Sequence, residues 1–219
     1  MSAPWHISTN CSLQMVVARR YRLCSSVVLF LDFDDVVCLN NPFGGYDVAL
    51  ALANSPRSTS EARYDCDIDP WLRLFDAKAI ALLGSLHEEF LPKYVLSTSW
   101  WWLMDDNSLK EALVRGGLRF VADNMHPDSA TPKATRPDLR WTEISNWLDA
   151  HPEFCDAWVV LDDELSGTGL CIAQPEERQP FIVLCTEGVG LIEIEYRKLR
   201  IAFSLRAGQR ELPEERSVR

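Results

Sequence analysis

Two short apolar runs along the chain each end in a pair of acidic residues. Residues 27–31 are followed by Asp32 and Asp34, and residues 157–161 are followed by Asp162–Asp163. Apolar runs of this length predict buried strands, and residues two apart in a strand point to the same face of a sheet. Asp32 and Asp34 are therefore expected to enter one crevice at the carboxyl end of their strand, where open parallel sheets bind ligands.

Helical and strand-like segments alternate along most of the chain. Apolar residues at helical spacing predict a helix over residues 77–90, with Asp76 as its N-cap. Residues 191–203 mix alternating and helical spacing, so their type stays open. Alternating strands and helices predict an α/β domain with a mostly parallel sheet covered on both faces. The other predicted elements are a strand over 94–96, a helix over 100–114, a short strand over 118–122, a proline-containing loop over 126–138, a helix around 141–148 and a strand over 181–184.

The length and composition fit a single large domain. A chain of 219 residues, 47% of them hydrophobic, can bury a sizeable core. We assign residues 26–205 to this domain, residues 1–25 to an N-terminal arm and residues 206–219 to a charged, flexible tail. Residues 38–70 are rich in polar residues and proline, and we expect them to form a small irregular insertion.

Charge and cysteine content exclude several classes of protein. The formal net charge of -10 argues against a broad surface for nucleic acid. The seven cysteines have no C-x-x-C spacing, so neither a zinc knuckle nor a disulfide framework is indicated. No segment has the pattern of a signal peptide or a membrane span. We therefore predict a cytoplasmic protein with no membrane partner.

Hydroxyl groups follow the strand predicted over residues 94–96. Ser97–Thr98–Ser99 precedes a predicted helix, and hydroxyls and free amides at a helix N-terminus bind anions.

Two carboxylates as close as Asp32 and Asp34 cannot both ionise freely unless a cation neutralises them. Aspartate and serine are also common turn and capping residues, so it is the combination and order of these features that favours catalysis.

Three consecutive tryptophans, Trp100–Trp101–Trp102, follow these hydroxyls. Successive residues of a helix diverge by roughly 100°, so at least one of the three should be partly exposed. One interpretation is stacking on a nucleobase or an aromatic leaving group beside the anion site. The favoured interpretation is packing against Trp141, Trp147 and Trp158.

Four segments with candidate chemistry follow one another along the chain. They are Asp32-Phe33-Asp34-Asp35-Val36-Val37, Ser97-Thr98-Ser99-Trp100, Arg140 ahead of Ile144 and Trp147, and Leu161-Asp162-Asp163. In this order they resemble the four motifs of the haloacid dehalogenase-like (HAD) phosphohydrolase superfamily. The resemblance covers roughly residues 26–190. It implies a three-layer, Rossmann-like α/β fold. It also implies a phosphatase-type member of the family, with a small cap domain or none.

The resemblance implies a role for each carboxylate. Asp32 would attack phosphorus, and Asp34 would protonate the leaving oxygen and later activate water. Mg²⁺ needs few protein oxygens because it keeps several waters and takes an oxygen of the substrate phosphate. Asp32, Asp163 and the backbone carbonyl of Asp34 would hold it, with Asp162 beside the metal.

The resemblance also implies binding groups for the phosphate. The hydroxyl that holds a phosphoryl oxygen falls on Thr98, which stands two residues before a tryptophan, with Ser97 as its neighbour. The basic residue that neutralises charge falls on Arg140, with Lys133 as the rival. Asp35 stands where glycine is common, and its charge either strengthens metal binding or faces solvent.

These expectations combine into a functional prediction. The chain is predicted to be a Mg²⁺-dependent phosphatase that acts through an aspartyl-phosphate. The open crevice implied by the small cap suits a bulky phosphorylated substrate, such as a protein or the end of a nucleic acid, and the acidic charge disfavours nucleic acid. The alternative is a catalytically silent HAD-like binding module. Phosphate transfer to an acceptor and carbon–halogen cleavage are less favoured.

Overall fold

One parallel sheet organises the chain. The computed structural model describes residues 26–41, 44–53, 68–132, 140–165, 169–170 and 175–209. The strands are β1 (Val28–Leu31), β2 (Lys93–Leu96), β3 (Met125–Ala130), β4 (Trp158–Asp163) and β5 (Ile182–Cys185). They form a five-stranded sheet in the order β3-β2-β1-β4-β5, and every neighbouring pair is parallel.

Helices surround this sheet. They are α1 (Gly45–Ala53), α2 (Asp69–Leu72), α3 (Ala77–Phe90), α4 (Asp106–Arg115), α5 (Arg119–Ala122), α6 (Arg140–Ala150) and α7 (Glu193–Gln209). Short 3₁₀ turns lie at Ser99–Trp102, Pro152–Phe154 and Gln179–Phe181. The predicted three-layer, Rossmann-like α/β fold is confirmed.

Strand β1 lies at the centre of the sheet, and all four of its residues are apolar and fully buried. Continuous apolar sequence is typical of parallel strands that are covered on both faces. Leu31 is level with Leu96 of β2 and with Leu161 of β4. The three residues that follow them lie in one row at the carboxyl edge of the sheet: Asp32, Ser97 and Asp162.

Aromatic contacts join a helix to the sheet and two helices to each other. Phe30, two residues before Asp32 and on the same face of β1, packs edge-on against Trp147 of α6, with ring centroids 5.3 Å apart. Phe90 of α3 contacts Phe203 of α7 at 5.2 Å. Helix α6 therefore lies over the face of the sheet to which Asp32 belongs.

The predicted helix start at Asp76 is confirmed. Its carboxylate accepts hydrogen bonds from the backbone nitrogens of Lys78 (3.4 Å) and Ala79 (3.1 Å). The predicted helix over residues 100–114 starts later, because a 3₁₀ turn comes first. Asp105 caps α4 by accepting from the backbone nitrogens of Asn107 and Ser108.

Two predictions on the β3 side of the sheet are wrong. Residues predicted as a strand over 118–122 form the short helix α5, and part of the loop predicted over 126–138 is strand β3. Strand β3 is half-buried to exposed at the edge of the sheet, so it carries no apolar run. An edge position also tolerates Pro127, which argued against a strand in the sequence.

The boundaries of the outer segments also differ from those expected. Residues 193–203 of the open segment belong to α7, which continues through residues 206–209 of the expected tail. Arg206 is buried there, and its Nε donates to the carbonyl of Trp158 at 3.1 Å. The expected insertion over 38–70 contains helix α1. The expected arm 1–25, residues 54–67 and residues 210–219 lie outside the described residues.

Among the described residues, no helix combines the length and the apolar character that a membrane crossing requires.

Candidate active site

Three buried carboxylates converge at the carboxyl edge of the sheet. Asp32, Asp162 and Asp163 are each at most 1% exposed, and one oxygen of each lies within 4.8 Å of the others. Neither oxygen of Asp32 accepts a hydrogen bond from the described residues. Buried carboxylate oxygens without protein donors fit a hard divalent cation such as Mg²⁺, so the donor set matches the predicted metal.

The electrostatics of this cluster favour a neutralising cation. Burial, followed by the charge of Asp162, raises the pKa of Asp32 well above its usual range. Burial raises the pKa of Asp162 to about 7, although the neighbouring Arg140 acts to lower it. Two carboxylates that resist ionisation together become anionic most readily when a cation binds them.

Arg140, the first residue of α6, supplies positive charge to the cluster. Its Nη2 lies 3.6 Å from Oδ1 of Asp32, and its Nε lies 3.1 Å from Oδ2 of Asp162. Its Nη1 donates a hydrogen bond of 3.1 Å to Oε2 of Glu143. Burial opposes the charged guanidinium, but these three carboxylates outweigh it and raise the pKa of Arg140. Lys133, the rival for this position, lies outside the described residues.

Asp34 has different surroundings from Asp32. The indole Nε1 of Trp100 donates to both of its carboxylate oxygens at 3.2 Å, and the hydroxyl of Ser99 donates to Oδ2 at 3.4 Å. Burial raises the pKa of Asp34, and these two hydrogen bonds act to lower it. An oriented carboxyl group with a raised pKa suits a general acid.

Trp100 is held by aromatic rings other than those expected. It is fully buried, and its ring centroid lies 4.7 Å from Trp71, 5.2 Å from Phe33 and 5.8 Å from Phe75. The expected packing against Trp141, Trp147 and Trp158 is not its environment. Trp102 is 54% exposed, which confirms that at least one of the three tryptophans is partly exposed.

Gly45, the first residue of α1, allows the chain to pass close to Asp34. A Cβ atom at this position would lie 3.0 Å from Nε1 of Trp100 and 3.1 Å from Oδ1 of Asp34. A larger residue would press on the hydrogen bond between these two side chains.

Asp35 does not face solvent, contrary to one of the two expectations, whereas an effect of its charge on metal binding stays a prediction. It has a left-handed backbone with φ of 51° and is 4% exposed. Its carboxylate accepts from the backbone nitrogen of Asn40 at 3.0 Å and from its Nδ2 at 3.1 Å. Left-handed backbone favours glycine, and aspartate tolerates it better than most residues.

The two candidate phosphate-binding hydroxyls are placed differently. Thr98 caps the 3₁₀ turn, because its Oγ1 accepts from the backbone nitrogen of Trp100 at 3.4 Å. Ser97 is fully buried in the row with Asp32, and its hydroxyl has no hydrogen-bond partner among the described residues. Both hydroxyls stay candidates.

Residues 28–195 match a family model described as "HAD domain in Swiss Army Knife RNA repair proteins". The chain belongs to this family. The match spans all four motif segments and confirms the resemblance to the HAD superfamily. Neither the curated proteins nor the solved structures yield a match to this chain.

The candidate residues of the HAD domain fall into two neighbouring sets of contacts. Asp32, Asp162, Asp163 and Arg140 form one buried cluster, and Asp34 lies beside it in a separate set of hydrogen bonds. Sequence reasoning missed three side chains that hold this site: Ser99, Trp100 and Glu143. The only sequence signals for them were their positions, directly after Thr98 or one helical turn after Arg140.

Proposed function

We propose that this HAD domain is a Mg²⁺-dependent phosphatase that acts through an aspartyl-phosphate on Asp32. The observation that carries the proposal is the environment of Asp32. Its carboxylate is buried beside two further carboxylates and one arginine, and neither of its oxygens is engaged by a donor among the described residues. A nucleophile needs such an available oxygen, held next to groups that neutralise phosphate charge.

The reaction divides into two steps. In the first, an oxygen of Asp32 bonds to phosphorus while the bond from phosphorus to the leaving oxygen breaks, and Asp34 gives its proton to that oxygen. In the second, water attacks the phosphorus, returns a proton to Asp34 and releases phosphate and the free Asp32 carboxylate. Arg140 and a hydroxyl of Ser97 or Thr98 would bind phosphoryl oxygens.

Asp32, Asp162, Asp163 and the carbonyl of Asp34 would hold Mg²⁺. The metal would supply charge neutralisation for the phosphoryl oxygens. The buried oxygens of this cluster support the assignment.

The family description bears on the substrate. It names RNA repair proteins, which favours a phosphate at a nucleic-acid end over the phosphoprotein that the acidic charge had favoured. We therefore propose a phosphate monoester on RNA as the first natural substrate to test. Location in the cytoplasm stays a prediction.

The proposal is tested by release of phosphate from an aryl phosphate, a phosphorylated RNA oligonucleotide and a phosphopeptide. Each is measured with Mg²⁺ and with a chelator. We expect Mg²⁺-dependent turnover that falls by about a thousandfold or more in Asp32→Asn, because the nucleophile is lost. The matched control is Asp156→Asn, which makes the same change at an exposed site at the amino end of β4; it should keep full activity.

The silent binding module is the outcome if no substrate is turned over with Mg²⁺ and the metal leaves the melting temperature unchanged. The environment of Arg140 bears on this alternative. The contacts of Arg140 with Asp32 and Asp162 support a working basic residue instead.

A further inference from the structure

Arg140 has a third acidic partner that the proposed reaction does not use. Glu143 lies one turn further along α6, is 8% exposed, and accepts a hydrogen bond from Nη1 of Arg140 at 3.1 Å. The other two contacts of the guanidinium are with Asp32 and Asp162. Among the described residues, each of the three nitrogens therefore lies within 3.6 Å of a different carboxylate.

Charge balance does not explain Glu143. The cluster already contains three buried carboxylates against one arginine, and a fourth reduces the positive charge that a phosphate group would meet. Burying a carboxylate also carries a desolvation penalty that an ion pair does not always repay. A role in orienting the Arg140 guanidinium explains Glu143 better. The guanidinium is a fixed plane on a long flexible stem, so a second contact is needed to set its orientation.

The contact distances show which orientation of the guanidinium Glu143 stabilises. Nη2 lies 3.6 Å from Oδ1 of the nucleophile Asp32, a distance longer than that of a hydrogen bond. The shorter contact to Glu143 fixes the opposite corner of the same plane. A lysine ammonium is a compact charge and cannot meet three carboxylates in three directions, so the arginine and Glu143 depend on each other.

We propose that Glu143 is a positioning residue for phosphoryl transfer. It holds the guanidinium plane of Arg140 so that Nη2 and Nε face the carboxylates around the reacting phosphorus. The proposal rests on the proposed phosphatase function. It adds that the arginine and the glutamate form one unit in the place of a single basic residue.

A double-mutant cycle tests the proposal, with kcat and KM for an aryl phosphate in Mg²⁺. We expect Glu143→Ala to lower kcat by about 10- to 100-fold and to change KM by less than about threefold, because misorientation affects the transition state more than binding. In an Arg140→Lys background the same truncation should lower kcat by less than about twofold, since a lysine ammonium has no plane for Glu143 to orient.

Rescue separates positioning from general stability. Glu143→Gln keeps an oxygen that accepts from Nη1 at nearly the same place, so it should keep kcat within about threefold of the native value. The control Glu111→Ala removes another helical acid paired with an arginine, at an exposed site on α4, and should leave kcat unchanged. The melting temperature of every variant is measured alongside.

Three results would overturn the assignment while the native protein is active. They are an unchanged kcat in Glu143→Ala, an equal loss in both backgrounds, and a loss in Glu143→Gln that follows the melting temperature. A native protein without Mg²⁺-dependent turnover overturns the proposed function itself, and the positioning role falls with it.

Discussion

Arg140 and Arg200 make ion pairs of opposite character. Arg200 on α7 forms a two-pronged contact with Glu89 of α3, and both N–O distances are 2.7 Å. The contacts of Arg140 are longer, from 3.1 to 3.6 Å. However, the Arg200 side chain is 49% exposed and the Arg140 side chain only 11%. Solvent screens the shorter pair, whereas the longer contacts act where water is scarce.

Burial, rather than contact length, decides what an ion pair contributes. An exposed pair exchanges solvation for a weak attraction and is of little consequence. A buried arginine among several carboxylates is costly to assemble, and removing it leaves charges without compensation. Such an arrangement is expected where chemistry requires it.

Among substitutions that leave the nucleophile intact, Arg140→Ala should have the largest effect. We expect turnover to fall by about 100- to 1000-fold, as is typical when a group that stabilises transition-state charge is removed. The melting temperature in chelator should also fall, because Asp32 and Asp162 lose their countercharge. Steady-state kinetics and thermal melting measure both. A loss of turnover below tenfold would show that the buried pair is structural.

Trp100→Phe should have an intermediate effect. Phenylalanine keeps the aromatic packing but loses the N–H that donates to Asp34. That donor stabilises the charged carboxylate, so its loss should raise the pKa of Asp34 further. A general acid with a higher pKa keeps its proton to higher pH. The alkaline limb of the pH profile of kcat should therefore shift to higher pH, while the maximal kcat falls about tenfold.

The control for this variant is Trp158→Phe. Its indole donates to the carbonyl of Cys155 at 3.0 Å, at the other end of the sheet. It should leave the alkaline limb in place. An unmoved limb in both variants would show that the Trp100 hydrogen bond does not tune Asp34.

A smaller effect is expected in the pH dependence of stability without metal. The unfolded chain ionises Asp162 near its ordinary value of 3.8, but the folded chain holds that proton until about pH 7. Each increase in pH between these values therefore favours the unfolded state. In chelator, the melting temperature of Asp162→Asn relative to the native protein should rise between pH 5 and pH 7. Mg²⁺ should raise the native melting temperature more at pH 7 than at pH 5. A constant difference across this range would contradict the raised pKa.

Arg200→Ala should have the smallest effect. Despite its short contacts with Glu89, we expect the melting temperature to change by less than about 3 °C and turnover to stay unchanged. A loss comparable to that of Arg140→Ala would refute the argument from burial.

The sequence predicted the parts of the fold that depend on local pattern. Strand β1 and residues 158–161 of β4 are continuous apolar runs because both of their faces are buried. The acidic residues stand out in the sequence because they directly follow these runs. Strand β3 was missed because it is an edge strand with exposed positions. The resemblance to the four HAD motifs implies one site for both acidic pairs, although the sequence pattern alone does not show that β1 and β4 are neighbours.

The contacts around those acids could not be predicted in the same way. The hydrogen bond from Trp100 to Asp34 depends on a 3₁₀ turn that brings the indole to Asp34, three residues beyond the end of β1. The contact between Glu143 and Arg140 follows from helical spacing, but its importance follows from the burial of both against the sheet. Such features arise from packing between elements, which a single sequence does not reveal.

The most direct test of the account is to trap the covalent intermediate. The protein is mixed with an aryl phosphate and Mg²⁺, quenched in acid during turnover, and its peptides are examined by mass spectrometry. An aspartyl-phosphate on Asp32 predicts one added phosphoryl group on the peptide that contains Asp32, lost on treatment with hydroxylamine and absent in Asp32→Asn. An active native protein that carries the phosphoryl group on another residue, or on none, would contradict it.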